Sequence, residues 1–137
     1  MFGFGRRSIV GAWRVDAIGA PFVPHLFTFA EDGSVFTTNP TNVQEESQGL
    51  HDSVGMGAWR KGRKGLYEGT FVQLNAFSST HLPGPELRVS FRVSVTRPAG
   101  LLVLDGPAVV HFGDERVPDA RLVGTLIGID EPDLDLL

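Results

Sequence analysis

The chain has 137 residues, with 12 basic and 16 acidic side chains for a net charge of −4, and with 17 glycines, 9 prolines and no cysteine. This length predicts one domain, residues 1–137. The lack of cysteine excludes disulfides, thiolate nucleophiles and thiolate metal ligands. The basic residues are scattered or lie in turns, which argues against a nucleic-acid partner.

Membrane and export signals are the next classes that the sequence argues against. No stretch reaches the roughly 20 apolar residues of a membrane span, and residues 1–7 lack the apolar run of a signal peptide. We therefore expect a soluble, cytoplasmic protein with no membrane span. The acidic tail, residues 130–137, alternates Asp with Leu and suits either a flexible end or a segment that docks on a partner.

The first predicted strand, residues 9–17, contains the sequence Gly-Ala-Trp-Arg, which returns at residues 57–60. A glycine two residues before a tryptophan lies on the same face of a strand. The Trp13 or Trp59 ring can then cover a bare backbone position where a neighbouring strand crosses closely. This arrangement predicts the plugged end of a small barrel.

Residues 25–30 and 35–38 are the next two predicted strands, joined by Glu31-Asp32-Gly33-Ser34. Asp-Gly is typical of a two-residue hairpin turn, because both of its residues tolerate positive φ. Such a turn predicts pairing of Phe29 with Phe36 and of Phe27 with Thr38. It also places His25, Phe27 and Phe29 on one inward face.

A long polar segment separates this hairpin from the next. Residues 39–55 predict an irregular loop, which is either a lid over the barrel or simply mobile. Strands at 56–60 and 66–77 follow, and a three-residue turn between them predicts pairing of Tyr67 with Trp59. The faces of the second strand are equally mixed, and we place its aromatic face inside.

The clearest strand is residues 87–95, where apolar side chains alternate with Arg and Ser. Two short strands, 101–104 and 108–112, are predicted around Asp105-Gly106-Pro107, and a last strand at 121–129. Eight or nine strands with short connections predict an all-β fold, a single antiparallel up-and-down β-barrel without free edges. A two-sheet sandwich is the alternative.

Motifs of catalysis and metal binding are absent from the sequence, which has no Gly-x-Ser-x-Gly, no His-Glu-x-x-His and no phosphate-binding loop. We therefore predict no cofactor and no metal. A few polar groups in an aromatic wall suit a mainly apolar small ligand. The predicted ligand-binding residues are Trp13, His25, Phe27, Phe29, Phe36, Thr38, Trp59, Tyr67, Phe71, Gln73 and Phe91. A barrel filled entirely by its own side chains is the alternative.

Three segments, Gly11-Ala12-Trp13, residues 26–35 and Gly57-Ala58-Trp59-Arg60, resemble the bacterial lipocalin-like domains of the calycin group. The resemblance covers most of the chain. It implies an eight-stranded barrel with a cup-shaped cavity for hydrophobic small molecules. It also implies that an arginine near the last strand, here Arg121, packs on the tryptophan of the first strand.

Three functions stay open at this point. The first is a module that binds a small hydrophobic metabolite in the barrel cavity. The second is a cofactor-free cyclase, isomerase or dehydratase acting on a polyketide- or terpene-like intermediate, as in related calycin-like barrels, with His25 or Tyr67 moving a proton. The third is a subunit that associates through an exposed sheet or the long loop, a homodimer among the options.

Overall fold

The computed structural model describes residues 8–20, 22–40 and 49–129. These residues form ten β-strands and two short 3-10 turns, and they contain no α-helix. The acidic tail and residues 41–48 of the predicted loop lie outside the described residues, so the expectations for them stay untested.

Eight of the ten strands close into one antiparallel barrel, which confirms the predicted fold class. The strands are β1 (Gly11–Ile18), β2 (His25–Phe29), β3 (Ser34–Thr38), β4 (Leu50–Asp52), β5 (Gly55–Lys61), β6 (Tyr67–Gln73), β7 (Asn75–Phe77), β8 (Leu87–Thr96), β9 (Val103–Phe112) and β10 (Glu115–Leu126). Neighbours follow chain order around the barrel, and β10 pairs back with β1. The short strands β4 and β7 form a separate two-stranded sheet.

The β2–β3 turn has one residue more than the sequence predicts. The backbone N–H of Ala30 donates to Ser34 O at 2.9 Å, and Gly33 adopts a left-handed φ of 93°. This three-residue turn aligns Phe29 with Val35 rather than with Phe36. Because side chains alternate between faces, a shift of one residue reverses every side chain of β3.

The prediction of Phe36 and Thr38 as inward-facing residues is therefore wrong. Phe36 is 38% exposed and Thr38 is exposed on the outer face, while Val35 and Thr37 are buried instead. The predicted pairing of Tyr67 with Trp59 is also wrong, since Trp59 is aligned with Gly69. The aromatic face of this strand nevertheless points inward, as expected, with Tyr67 and Phe71 buried.

Several strand boundaries differ from the predicted ones, and the predicted irregular loop, residues 39–55, contains strand β4. The predicted strand 66–77 is divided into β6 and β7, and the predicted hairpin around Asp105-Gly106-Pro107 is one continuous strand, β9. The last strand begins at Glu115 rather than at residue 121 and ends at Leu126 rather than at residue 129, and a register shift between Val117 and Ala120 accommodates Pro118.

Aromatic rings fill most of the barrel. The Phe27 and Phe71 ring centroids lie 5.3 Å apart, and the Phe29 ring lies 6.0 Å from both Phe27 and Phe91. Trp13 is fully buried and donates its indole N–H to Ile9 O at 2.8 Å. Such edge-to-face contacts add stability beyond the apolar area that they bury.

The predicted contact between Arg121 and Trp13 is absent. Trp13 is aligned with Leu126, whereas Arg121 points outward and makes two 2.6 Å hydrogen bonds to Asp105. The Arg121 guanidinium holds the pKa of the Asp105 carboxyl below its usual range. Arg121 does not reach Trp13 because its side chain lies on the outer face of β10. Its neighbours Ala120 and Leu122 are the buried, inward-facing residues.

Candidate functional site

Alternating strand direction places the starts of β2, β5, β8 and β10 at one end of the barrel, together with the ends of β3 and β6. We call this the His25 end, because His25 begins β2 there. Gln73 ends β6 at the same end. We call the opposite end, where β1 and β6 begin, the Trp13 end. Tyr67 lies at this second end, so the structure does not bring His25 and Tyr67 together.

His25 is buried between two aromatic rings and bonds to the backbone. Its Nδ1 lies 2.8 Å from Val23 O, and the Phe22 and Phe27 ring centroids lie 6.4 and 6.3 Å away. A carbonyl only accepts, so Nδ1 carries the hydrogen and Nε2 of the neutral ring is an acceptor. Burial lowers the pKa of His25, and the Val23 bond and the Asp52 charge oppose that shift.

Asp52, at the end of β4, is held beside the His25 end by two amide groups. Its Oδ2 accepts from Asn39 Nδ2 at 3.2 Å and from Gln73 Nε2 at 3.1 Å. It stands directly opposite Asn75 in the β4–β7 sheet. Among the described residues, Asp52 makes no ion pair with Lys or Arg.

Within the part of the chain that the structure describes, three buried oxygen atoms at this end have no hydrogen-bond partner: Thr37 Oγ1, Gln73 Oε1 and Asn75 Oδ1. Their residues are 0%, 1% and 7% exposed. The amide nitrogen of Gln73 is used by Asp52, and that of Asn75 donates to Pro85 O at 2.7 Å. The oxygen of each amide therefore keeps its capacity to accept a hydrogen bond. We call Thr37, Asn39, Asp52, Gln73 and Asn75 the polar cluster.

A cavity of about 20 Å³ lies inside the barrel at the His25 end. Of the described residues in its wall, His25 is the polar one, and the others are Val15, Ala17, Phe22, Phe27, Phe71, Leu87, Val89, Val110 and Leu122. This volume holds about one water-sized group. Phe22 is the wall residue that lies outside the strands, in the connection between β1 and β2, so its movement would enlarge the cavity without breaking a β-ladder.

The predicted site residues fall into three groups in the structure. His25, Phe27 and Phe71 line the cavity, and Gln73 joins the polar cluster. Phe36 and Thr38 lie on the outer face. The remaining residues belong to the packed interior beyond the cavity: Trp13, Phe29, Trp59, Tyr67 and Phe91.

Sequence reasoning missed four residues of this region: Phe22, Thr37, Asn39 and Asp52. Thr37 was missed because of the register error, and the correct turn length would have recovered it. Asn39 and Asp52 lie in a stretch that looks like a loop. Only the pairing of β4 with β7 brings Asp52 to the barrel, and short-range periodicity carries no signal for that long-range contact.

Neither a metal site nor a membrane-spanning helix is found within residues 8–20, 22–40 and 49–129. No three or more His, Asp or Glu side chains there approach each other closely enough to hold a metal ion. No helix among the same residues is long and apolar enough to cross a membrane. Comparison of the chain with protein-family models, curated proteins and solved structures finds no match.

Proposed function

We propose that this protein binds a small, mainly apolar molecule at the His25 end of the barrel, in the manner of a lipocalin-like binding protein. The closed eight-stranded antiparallel barrel is compatible with that fold. The observation that carries the proposal is the apolar cavity, which has His25 in its wall and lies at the same end as the polar cluster. A few polar groups at the rim of an apolar pocket fix the orientation of a ligand.

The packed interior limits how deeply the ligand enters. Phe27 and Phe71 lie against each other at 5.3 Å, and the Phe29 and Phe91 rings fill the next layer. Room comes instead from displacement of Phe22, whose backbone N–H bonds only locally, to Ala20 O. The ligand therefore places a short apolar part inside and keeps its polar part at the barrel rim.

Amide chemical shifts in a titration with octan-1-ol test this proposal. Saturable changes are expected around Ala17, Phe22 and His25, with little change around Tyr67 at the Trp13 end.

Ala17→Leu extends a side chain into the cavity and should weaken binding at least tenfold. A matched Ala58→Leu variant, on the exposed face of β5, should bind as the wild type does. Changes confined to the outer-face residues Leu26, Phe36 and Met56 would overturn the proposal.

A cofactor-free isomerase or cyclase is the second candidate, and the geometry of His25 favours it. The neutral ring presents Nε2 as a proton acceptor while Nδ1 is held by Val23. A general base in an apolar wall could remove a proton from carbon beside a carbonyl group. Exchange of the α-hydrogens of octan-2-one in D₂O, followed by NMR, should be faster with wild type than with His25→Gln. Equal rates would remove this candidate and leave binding untouched.

A further inference from the structure

We propose that the polar group of the ligand is a primary ammonium, bound by the polar cluster around Asp52. This inference rests on the proposed function, since the apolar part of the same molecule occupies the cavity. It assigns the ligand class: an alkylamine or a larger apolar molecule ending in –CH₂–NH₃⁺.

The first argument for a cationic ligand is the charge of the Asp52 carboxylate. The donors that reach Asp52, the amides of Asn39 and Gln73, are both neutral. Burial keeps His25 toward its neutral form. A half-buried carboxylate is most stable beside a cation, and no described Lys or Arg supplies one. A cationic ligand completes this charge balance.

Hydrogen-bonding capacity is the second argument. The oxygens without partners belong to Thr37, Gln73 and Asn75, and all of them can accept. Leaving buried acceptors unpaired is unfavourable, so the cluster favours a ligand rich in donors. An ammonium group carries three donors and no acceptor.

The register of the strands brings two of these acceptors to the same place. Thr37 is aligned with Gly55, and because Met56 is aligned with Val72, the next rung sets Gln73 beside Gly55. A Cβ on Gly55 would overlap Thr37 Oγ1, so the hydroxyl occupies the space that a side chain would otherwise fill. Thr37 and Gln73 therefore flank the same glycine from the two neighbouring strands.

The same geometry discriminates against other polar groups. A carboxylate would be repelled by Asp52 and would find acceptors where it needs donors. An alcohol supplies only one donor for several acceptors. We therefore expect affinity to fall in the order octylamine, octan-1-ol, octanoate, three molecules with the same chain length.

Isothermal titration calorimetry at pH 7 with these three molecules tests the inference. Octylamine should bind wild type at least tenfold more tightly than octan-1-ol. Asp52→Asn should abolish that preference, so that octylamine and octan-1-ol bind the variant with affinities within about twofold of each other. The matched control is Asp114→Asn, in the β9–β10 turn at the same end, which changes the net charge equally and should keep the preference.

A second variant keeps the test decisive if Asp52→Asn unfolds. Thr37→Val preserves shape and removes one acceptor, and it should weaken octylamine binding about threefold to tenfold and so reduce the preference for octylamine over octan-1-ol. Equal affinities for octylamine and octan-1-ol, or tighter binding of octanoate, would overturn the inference and leave the proposed function standing. Binding of none of the three molecules would overturn the proposed function itself.

Discussion

Thr37 is a fully buried hydroxyl that contributes no hydrogen bond to the fold. Replacing it with valine removes the unpaired oxygen and keeps the shape of the side chain. We expect Thr37→Val to raise the free energy of unfolding by about 1 kcal/mol, because the cost of burying the hydroxyl disappears. Urea denaturation measures this difference.

Thr70→Val is the matched control for that substitution. The Thr70 hydroxyl bonds to Ser90 Oγ at 2.9 Å, so its removal leaves a partner unpaired. This variant should lose about 1 kcal/mol of stability. Equal losses in both variants would mean that Thr37 has a partner in solution, which would weaken its assignment to ligand binding.

His25 makes stability depend on pH in a defined window. Its pKa is lowered in the folded protein, so the unfolded chain binds the proton more readily. Stability should therefore be complete above about pH 6.5 and should fall as the pH drops from there toward the folded pKa. Asp32, Glu68 and Asp105 have lowered pKa values as well, so their contribution is lost only in more acidic solution, below about pH 4.

The His25→Gln variant isolates this effect. Urea denaturation at pH 7.5, 6.5 and 5.5 should give a smaller decrease in the free energy of unfolding for the variant than for wild type. The quantity compared is the slope of the free energy of unfolding against pH, so a constant loss of stability from altered packing does not affect it. Parallel slopes would show that His25 keeps an ordinary pKa.

Gly57 lies where the neighbouring strand β6 leaves no room for a side chain. A Cβ at this position would overlap the Thr70 carbonyl oxygen and lie 2.6 Å from Phe71 Cα. Gly57→Ala should therefore cost about 3 kcal/mol, since backbone must move. Gly128→Ala is the control, because nothing lies within 4 Å of its Cβ, and it should change stability by less than about 0.5 kcal/mol. A small effect at Gly57 in thermal unfolding would contradict this account of the Gly-Ala-Trp motif.

At the scale of elements, the β4–β7 sheet should be the least stable part of the described strands. Its two strands have three residues each, and besides their mutual pairing the structure shows for them an isolated bridge between Ala76 and Pro83. Short two-stranded sheets are marginal on their own, whereas β8 and β9 are paired on both sides. Hydrogen exchange should show at least hundredfold lower protection for the Ser53 and Ser78 amides than for β8.

Ligand binding should change that exchange pattern. Asp52 lies on β4, so octylamine at the polar cluster should raise the protection of the Ser53 amide, which bonds to Leu74 O at 2.8 Å. The amides of β8 should change much less. Protection in β4 that already equals that of β8 without ligand would contradict the expectation of a loosely held sheet.

A strand can be predicted from sequence when the pattern that defines it lies within the strand itself. β8 is evident because its inner and outer residues alternate without exception. β9 was divided because Asp105-Gly106-Pro107 has the local chemistry of a turn. A Cβ on Gly106 would overlap the Arg92 carbonyl oxygen, so this glycine serves close strand packing instead. That requirement comes from the neighbouring strand.

The site was only half predictable for the same reason. His25, Phe27 and Phe29 follow from simple alternation within β2. The predicted inward face of β3 depended on the assumed length of the β2–β3 turn. Because the turn is one residue longer than assumed, Thr38 was predicted to face inward in place of Thr37. Asp52 depends on pairing between segments more than 20 residues apart in the chain, which periodicity does not encode.

At the scale of the whole molecule, the barrel has a densely packed Trp13 end. Its His25 end contains the cavity and the described buried oxygens that have no hydrogen-bond partner. Trp13 and Phe29 are almost fully buried, and the aromatic rings continue from Phe29 to Trp59 and Tyr67. The cavity and the three unpaired oxygens all lie toward the other end. Stability is therefore concentrated in one half of the barrel, and we assign binding to the other.

The most direct test is the position of a bound molecule, measured by intermolecular nuclear Overhauser effects between octylamine and isotope-labelled protein. The terminal methyl group should show contacts to Val15 and Phe71 in the cavity wall, and the methylene beside nitrogen should show contacts to Thr37 and Gln73. Contacts restricted to the outer-face residues Leu26, Phe36 and Met56 would contradict the assignment of the His25 end as the binding site.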